Sequence, residues 1–571
     1  MTSLPPGLLM ILAGLACLLP LKSKRARQLP QWLLLLAPLL SLLHILTLPL
    51  GAEVTRTFLG MQTMPLRVDA LSRLWGLLFH FAAIAAGLFS FTLTDRRQHA
   101  AALAYAGAAI GAVYAGDLLT LFLYWELTGV TSVFLVWAAG TRRSVASGLR
   151  YLLFQVGSGV LLLAGALMQF SDTGSIAFNA TVLAIPGAPF LLLGFGIKCG
   201  FPLFHTWLQD AYPESTPTGT VWLSIFTTKL AIYALLRGFP GESLLIPIGL
   251  VMAVYPLFHA LIADDLRRVV IYNLHNQLGF MVVAIGIGTP LALNGAAAHA
   301  FGGIFYIALL LMVLGVVRQQ LGTSRASALS GLIARLPRTA IYCAIGAASI
   351  SAVPLFCGFA SKALILSAAA EAHLERTWIL LLFASVGTVL SSGVRVASAF
   401  YLGEAPDTAA VLEEPPRVTR LGMGVAAGFC VLIGVFPFLL YRLLPFEMHY
   451  RLFTLEHLVT QLQLLTWVLL AYIAVRAAGL LPHSRPAALW DTDWFYRCAF
   501  PEAIRVIGGA AWSRWVRALG ALRRVMLFVA ERVRTLHDAE GVFGRTWTTG
   551  TMVLFAAIFL CLYLLVYTFW S

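Results

Sequence analysis

Of the chain's 39 lysines and arginines only five are lysines, and they are unevenly placed. Lys22 and Lys24 fall in the polar run KSKRAR (22–27), whereas Lys198, Lys229 and Lys362 lie in or beside hydrophobic stretches. Arginine carries the positive charge everywhere else. The two cations are not equivalent. Arginine keeps its proton at any physiological pH, while a lysine withdrawn from water loses its preference for the charged form and can pass a proton on. Placing one at bilayer depth costs at least a few kcal/mol, so the pattern points to amines that switch charge. The plainer alternative is drift towards arginine, with three lysines left by structural accident.

A matching acid is Glu126, the one carboxylate within LFLYWELTGVTSVFLVW (121–137), with Asp117 just outside its start. Lys198, two apolar spans later, is its expected partner. A Glu/Lys pair whose separation changes loads or unloads the amine: charge is favoured when close and lost when apart. A static buried ion pair tying two helices together is the other reading.

The elements that must hold these groups are membrane helices. The 571 residues are 60% hydrophobic and only 11% charged, a composition of polytopic membrane proteins rather than soluble ones. Apolar stretches predict about sixteen transmembrane helices, near 4–21, 30–50, 68–93, 100–116, 118–139, 148–170, 181–203, 218–238, 244–263, 269–288, 295–317, 339–371, 377–401, 420–440, 461–480 and 549–570. The fold expected is all-α. The first span looks like a signal peptide, but no small-residue cleavage site follows it. KSKRAR, DRRQH (95–99), TRR (141–143), DDLRR (264–268) and RQQLGTSR (318–325) fall on one side of this threading, which puts them in the cytoplasm and the N-terminus outside. The net charge of +14 is thereby read as topology and lipid contact, with no nucleic-acid partner. The seven cysteines are scattered, without ligand spacing, so neither a disulfide framework nor a metal or cofactor site is expected.

GFPLFHTWL (200–208) and AVPLFCGFA (352–360) share PLF after an apolar residue. The second lies five spans after the first in this threading, an odd number, so the copies run in opposite directions. Inverted repeats with discontinuous helices are a transporter device, because a mid-membrane break presents backbone groups and half-helix dipoles to ions. Lys198 precedes one proline and Lys362 follows the other. Two five-helix units are expected, 100–238 and 244–401. Around them lie N-terminal helices (1–99), C-terminal helices (402–488), an amphipathic membrane-surface segment (489–548) and a terminal anchor (549–571).

From VDALSRLWGLLF (68–79) to GFASKALIL (358–366) the chain resembles the antiporter-like proton-pumping subunits shared by respiratory complex I and Mrp-type cation/proton antiporters. YWELTGVTS resembles the motif carrying the family's fifth-helix glutamate, here Glu126. IKCGFPLFHTWLQDAYPESTPT (197–218) is similar to the broken-helix lysine and its following loop, with Lys198, His205 and Asp210 in register. TTKLAIYALLR (227–237) resembles the eighth-helix lysine of the family's D-type members, which gives Lys229. GFASK corresponds to the exit-side lysine, Lys362, and DDLRRVVIYNLHNQLGFM (264–281) to a further family stretch with Arg267 at its loop lysine. The resemblance implies a proton path through these residues and integral membrane partner subunits.

The chain also departs from the family. AHAFGGIFYIALLLM (298–312) keeps His299 but has Gly303 and Ile307 where the family has a second histidine and a lysine. The usual serines of the preceding span are Asn273 and Asn276, with His275 between them. Protons would cross this gap on water helped by His275 and His299, or not cross. Arginines 505, 514, 517, 523, 524, 532 and 534 interleave with apolar residues in the tail and predict a cationic amphipathic helix at the cytoplasmic surface, bracing neighbouring subunits or binding lipid.

The reading is a proton-translocating subunit of a multisubunit Mrp-type or complex I-related assembly in a prokaryotic inner membrane. Two rivals keep the fold: a subunit feeding proton flow to a soluble partner, as in bicarbonate-accumulating complexes, and a non-conducting scaffold. No cysteine cluster or nucleotide loop gives the chain a redox centre of its own, and no oxygen-rich site selects sodium or potassium as a counter-ion.

Overall fold

A computed structural model describes residues 4–20, 28–58, 60–404, 412–479, 491–537 and 549–570. The KSKRAR loop with Lys22 and Lys24, part of the expected 489–548 segment and the last residue of the terminal anchor lie outside these. The chain divides into two compact units, 1–489 and 490–571.

The first unit opens with α1 (Leu8–Cys17) and α2 (Leu29–Thr47). An antiparallel hairpin follows, β1 (Glu53–Phe58) and β2 (Met61–Arg67), pairing Glu53 with Arg67 and bulged between Val54 and Arg56. It is the one sheet among the described residues of a predominantly helical chain, and the expected helix list did not include it. EVTRTF and MQTMPLR are rich in β-branched and polar residues and too short and polar to span a bilayer, so they pair with each other outside the apolar spans.

The remaining helices are α3 (Ala70–Ser90), α4 (Arg96–Val113), α5 (Leu118–Trp137), α6 (Arg142–Thr173), α7 (Ala188–Cys199), α8 (Thr206–Ala211), α9 (Pro217–Ile225) and α10 (Thr227–Gly238). Next come α11 (Leu245–Ile262), α12 (Leu266–Ile287), α13 (Pro290–Leu321), α14 (Pro337–Ile350), α15 (Cys357–Glu371) and α16 (Glu375–Thr388). A π-turn (Val389–Val394) leads into α17 (Arg395–Tyr401), followed by α18 (Arg417–Val435), α19 (Phe438–Tyr441) and α20 (Leu455–Ala477). Many starts carry side-chain caps that satisfy otherwise orphaned N–H groups. Asp69 and Thr141 form reciprocal capping boxes with Ser72 and Ser144, and Asp117 caps α5 through the Thr120 N–H. The second Asp117 oxygen accepts the Met64 N–H at 2.7 Å, which ties the hairpin to the start of the Glu126 helix.

Among the described residues, eleven helices are long and apolar enough to cross a membrane. The other five expected spans correspond to short, interrupted or less apolar helices. Two of them break at the PLF motifs, separating α7 from α8 and α14 from α15. The core runs through α9–α10, α12 and α13, whose spanning windows are 100%, 94% and 100% buried. Those helices carry Lys229, His275 and His299 and are apolar nearly all round, as a central helix must be.

In the second unit, α21 (Phe500–His537) and α22 (Thr549–Trp570) are the long helices. Arginines 514, 517, 523, 524, 532 and 534 of α21 are all exposed.

Candidate functional site

The two PLF segments have the same backbone. Gly200 and Ala352 take positive φ (86° and 56°), and so do Leu203 and Leu355 (74° and 72°). Phe201 donates to Gly196 O and Val353 to Ala348 O; then Phe204 donates to Phe201 O and Phe356 to Val353 O. Pro202 and Pro354, without an N–H, ensure that neither helix runs on. Each break leaves carbonyls at the end of the first half-helix, which carries the negative pole of the helix dipole.

Lys198 stands in the last turn of α7 and is fully buried. Its ammonium donates to the main-chain oxygen of Trp125 and, at 2.8 Å, to Thr128 Oγ1, and lies 4.3 Å from the centre of the Trp125 ring. Trp125 is held in turn: its indole N–H donates to Ser158 Oγ at 2.9 Å, and Ser158 donates to Gly194 O on α7. Glu126 is therefore not the direct partner expected. Neighbouring residues of a helix point about 100° apart, and Lys198 meets the Trp125–Thr128 face while Glu126 turns towards α6. Its Oε1 packs on Gly159, where any Cβ would overlap it, and has no hydrogen-bond partner. The acid stays within electrostatic range of Lys198.

A third interruption was not legible in the sequence. At Phe226, between α9 and α10, the helical hydrogen bonding lapses. Tyr105 accepts the Thr227 N–H at 2.9 Å, and the Lys229 ammonium takes the freed Ser224 oxygen at 2.9 Å. Lys362, 3% exposed, repeats the pattern at the second PLF break by donating to Ile350 O, the last residue of α14, at 3.0 Å. Lys229 and Lys362 thus place their ammonium groups at the carbonyl end of an interrupted helix, where a cation is favoured without a fixed counter-charge, whereas Lys198 stands in the last turn of one and bonds a carbonyl in the middle of α5. Lys362 also faces a cavity of about 170 Å³ lined by Ala352, Glu456, His457 and Gln461. Glu456 and His457 of α20 carry no motif and were missed.

The supporting residues have structural partners. Asp210 takes a bidentate bond from Arg150 (Nε–Oδ2 2.7 Å, Nη2–Oδ1 3.0 Å), clamping α8 to α6. Arg267, fully buried, donates to Ser215 O at 3.1 Å and to the Thr220 hydroxyl, holding the loop before α9. His205 stacks on His275 with ring centres 4.8 Å apart, and His275 Nε2 lies 2.8 Å from Gly200 O, at the break itself.

His299 is placed apart from that pair. Its Nδ1 is 2.8 Å from Ser361 Oγ, the residue before Lys362, and its Nε2 is 3.0 Å from Gln277 Oε1. Tyr306 donates to the same Gln277 oxygen at 3.1 Å. A Cβ at Gly303 would stand 3.3 Å from the Tyr306 hydroxyl, so that hydroxyl occupies space into which a side chain at 303 would project. Gln277, Tyr306 and Ser361 are further residues the sequence did not flag, because none of them titrates near neutrality.

Membrane helices interrupted at mid-span, with buried lysines beside the breaks, are a device of transporter folds. Residues 115–391 match the model of the NADH:quinone oxidoreductase/Mrp antiporter transmembrane family. The A/B component of a probable K(+)/H(+) antiporter of Rhizobium meliloti is 27% identical over 401 residues, 65% of this chain and 40% of that protein. NADH-quinone oxidoreductase subunit N of Desulforudis audaxviator is 28% identical over 389 residues, 62% of this chain and 75% of that one. In fold, the chain resembles a chain of the Mrp complex from Dietzia sp. DQ12-45-1b, with a TM-score of 0.74 at 23% identity over 92% of this chain and 62% of that chain. The chain is thus a multi-pass membrane protein similar to the antiporter-like subunits of the Mrp and complex I type, and it spans less than half the length of the rhizobial relative.

Proposed function

We propose that the chain moves protons as one subunit of a multisubunit Mrp-type or complex I-related assembly in a prokaryotic inner membrane. The observation that carries this reading is the placement of all three buried lysines beside helix interruptions, with Lys198 in the last turn of α7 and bonded to the Trp125 carbonyl, and Lys229 and Lys362 bonded to helix-end carbonyls. A lysine there is stabilised as a cation by dipoles rather than by a carboxylate, and small movements of a half-helix change how much stabilisation it receives. Glu126, beside Lys198 but unbonded to it, is the coupling charge that a neighbouring subunit would move. Lys198 is the switched amine, Lys229 the next station, His299 the station beside Lys362, and Lys362 the exit. His205 and His275 line the first break, while Asp210 and Arg267 hold the segments around it. Buried amides without a protein partner on α6 and α8, Gln155 and Gln209, favour a hydrated route near the first break.

The matching backbone at 200–204 and 352–356 favours two inverted units, 100–238 and 244–401. The exposed arginines of α21 suit an anionic membrane surface or the flank of a neighbouring subunit. The test is proton transport by the whole assembly in sealed vesicles. Lys198→Ala and Glu126→Ala should assemble normally and lose transport. Wild-type rates in both would make the chain a scaffold.

A further inference from the structure

Around His299 the donors and acceptors follow one another in a fixed order that starts at a main-chain atom. Asn276 of α12 donates its Nδ2 to Ala253 O of α11. A carbonyl oxygen only accepts, so the Asn276 amide must present its NH2 there and turn Oδ1 the other way. The helices come close enough for this because Gly249 and Gly279 pack backbone on backbone, where either Cβ would clash. Asn276 Oδ1 then accepts from Gln277 Nε2 and, at 2.8 Å, from the Thr388 hydroxyl. With its NH2 committed, Gln277 offers only Oε1 to α13, where the Tyr306 hydroxyl (3.1 Å) and His299 Nε2 (3.0 Å) converge. Oε1 only accepts, so Nε2 must carry hydrogen. In the neutral ring the lone pair is then on Nδ1, 2.8 Å from Ser361 Oγ and on the Lys362 helix side.

We infer that this chain from Ala253 to Ser361 locks His299 as its Nε2–H tautomer, so that the ring takes up and returns protons only through Nδ1, on the side of Lys362. Gln277 and Asn276 are positioning residues, acting through His299. The missing histidine and lysine at Gly303 and Ile307 are consistent with this arrangement. A ring exchanging protons on one face is a partner of the exit lysine, not a two-sided stepping stone from Lys229. Gly303 leaves the room that the Tyr306 hydroxyl uses to share Gln277 Oε1. The functional consequence rests on the proton-conducting reading; the tautomer does not.

The tautomer is read by nitrogen-15 magnetic resonance of the full chain, labelled at histidine and held in lipid bilayers. A His299→Gln variant identifies the His299 signals by difference. In the wild type, at a pH where the ring is neutral, Nε2 should be protonated and Nδ1 bare. Gln277→Leu and Asn276→Leu, which cannot pass on the imposed polarity, should give a mixture of tautomers. Tyr306→Phe should keep the Nε2–H form, because Asn276 still orients Gln277. Protonated Nδ1 in the wild type, or a tautomer that Gln277→Leu leaves unmoved, would overturn the inference. In vesicles of the assembly, Gln277→Leu should slow proton transport about tenfold or more. If Lys198→Ala transports normally while the resonance result holds, the conducting reading fails and the tautomer lock stands.

Discussion

Lysine and arginine divide the labour in this chain, and the division makes a prediction that alanine scanning alone would not. If the three buried amines must release a proton, arginine is no conservative replacement, since its guanidinium keeps its charge. Lys198→Arg and Lys229→Arg are expected to stop transport as completely as alanine does, measured as proton uptake by vesicles of the assembled complex. Transport by either arginine variant at half the wild-type rate or more would mean that a fixed positive charge suffices. Gly159 supplies a second residue-scale test. The Glu126 carboxylate occupies the space of its absent side chain, so Gly159→Ala must push the acid aside. Overpacking of this kind costs about 1–3 kcal/mol. We expect a lower unfolding midpoint in detergent, with a larger loss in Gly159→Val than in Gly159→Ala.

Helix interruptions are the device at the scale of elements, and they are held open by backbone conformations that leucine adopts reluctantly. Leu203 and Leu355 have positive φ with side chains 60% and 54% exposed, so little packing within the chain offsets the strain. Left-handed backbone costs a non-glycine residue about 1–2 kcal/mol. Leu203→Gly should therefore raise thermal stability in detergent, by up to about 1 kcal/mol after the entropy that glycine adds to the unfolded chain. No gain at either leucine would show that contacts of those side chains compensate. The clamp between Arg150 and Asp210 is partly exposed, with side chains 35% and 15% accessible. Asp210→Asn should cost about 1 kcal/mol and loosen α8 against α6, seen as faster amide exchange over 206–211. The PLF match was legible in sequence because proline leaves a mark. The break at Phe226 was not, because it carries neither proline nor glycine and is held by Tyr105, 122 residues away.

For the molecule as a whole, the charged loops predict how the chain is threaded. The rule that basic loops stay in the cytoplasm places the loops around Arg143 and Arg325 inside and the hairpin Glu53–Arg67 outside. Single cysteines at Thr57 and Arg325, with the exposed Cys498 and Cys561 replaced by serine, should label from opposite sides. An impermeant thiol reagent on intact cells should reach position 57 and not 325. Labelling of both from outside would refute the threading.

Composition and periodicity alone determined that this is a many-helix membrane protein, that three of its five lysines are interior residues, and that two helices break at proline. These are local properties, set by the apolarity of about 20 residues or by one missing N–H. The partners of the lysines were decided only by the tertiary structure, because a backbone carbonyl has no sequence signature. Lys198 pairs with the Trp125 carbonyl rather than with Glu126, Lys229 with Ser224 and Lys362 with Ile350. The same holds for His299. Its register was visible in the chain, but the nitrogen that faces Ser361 on the Lys362 helix is set by an order of donors and acceptors running across four helices.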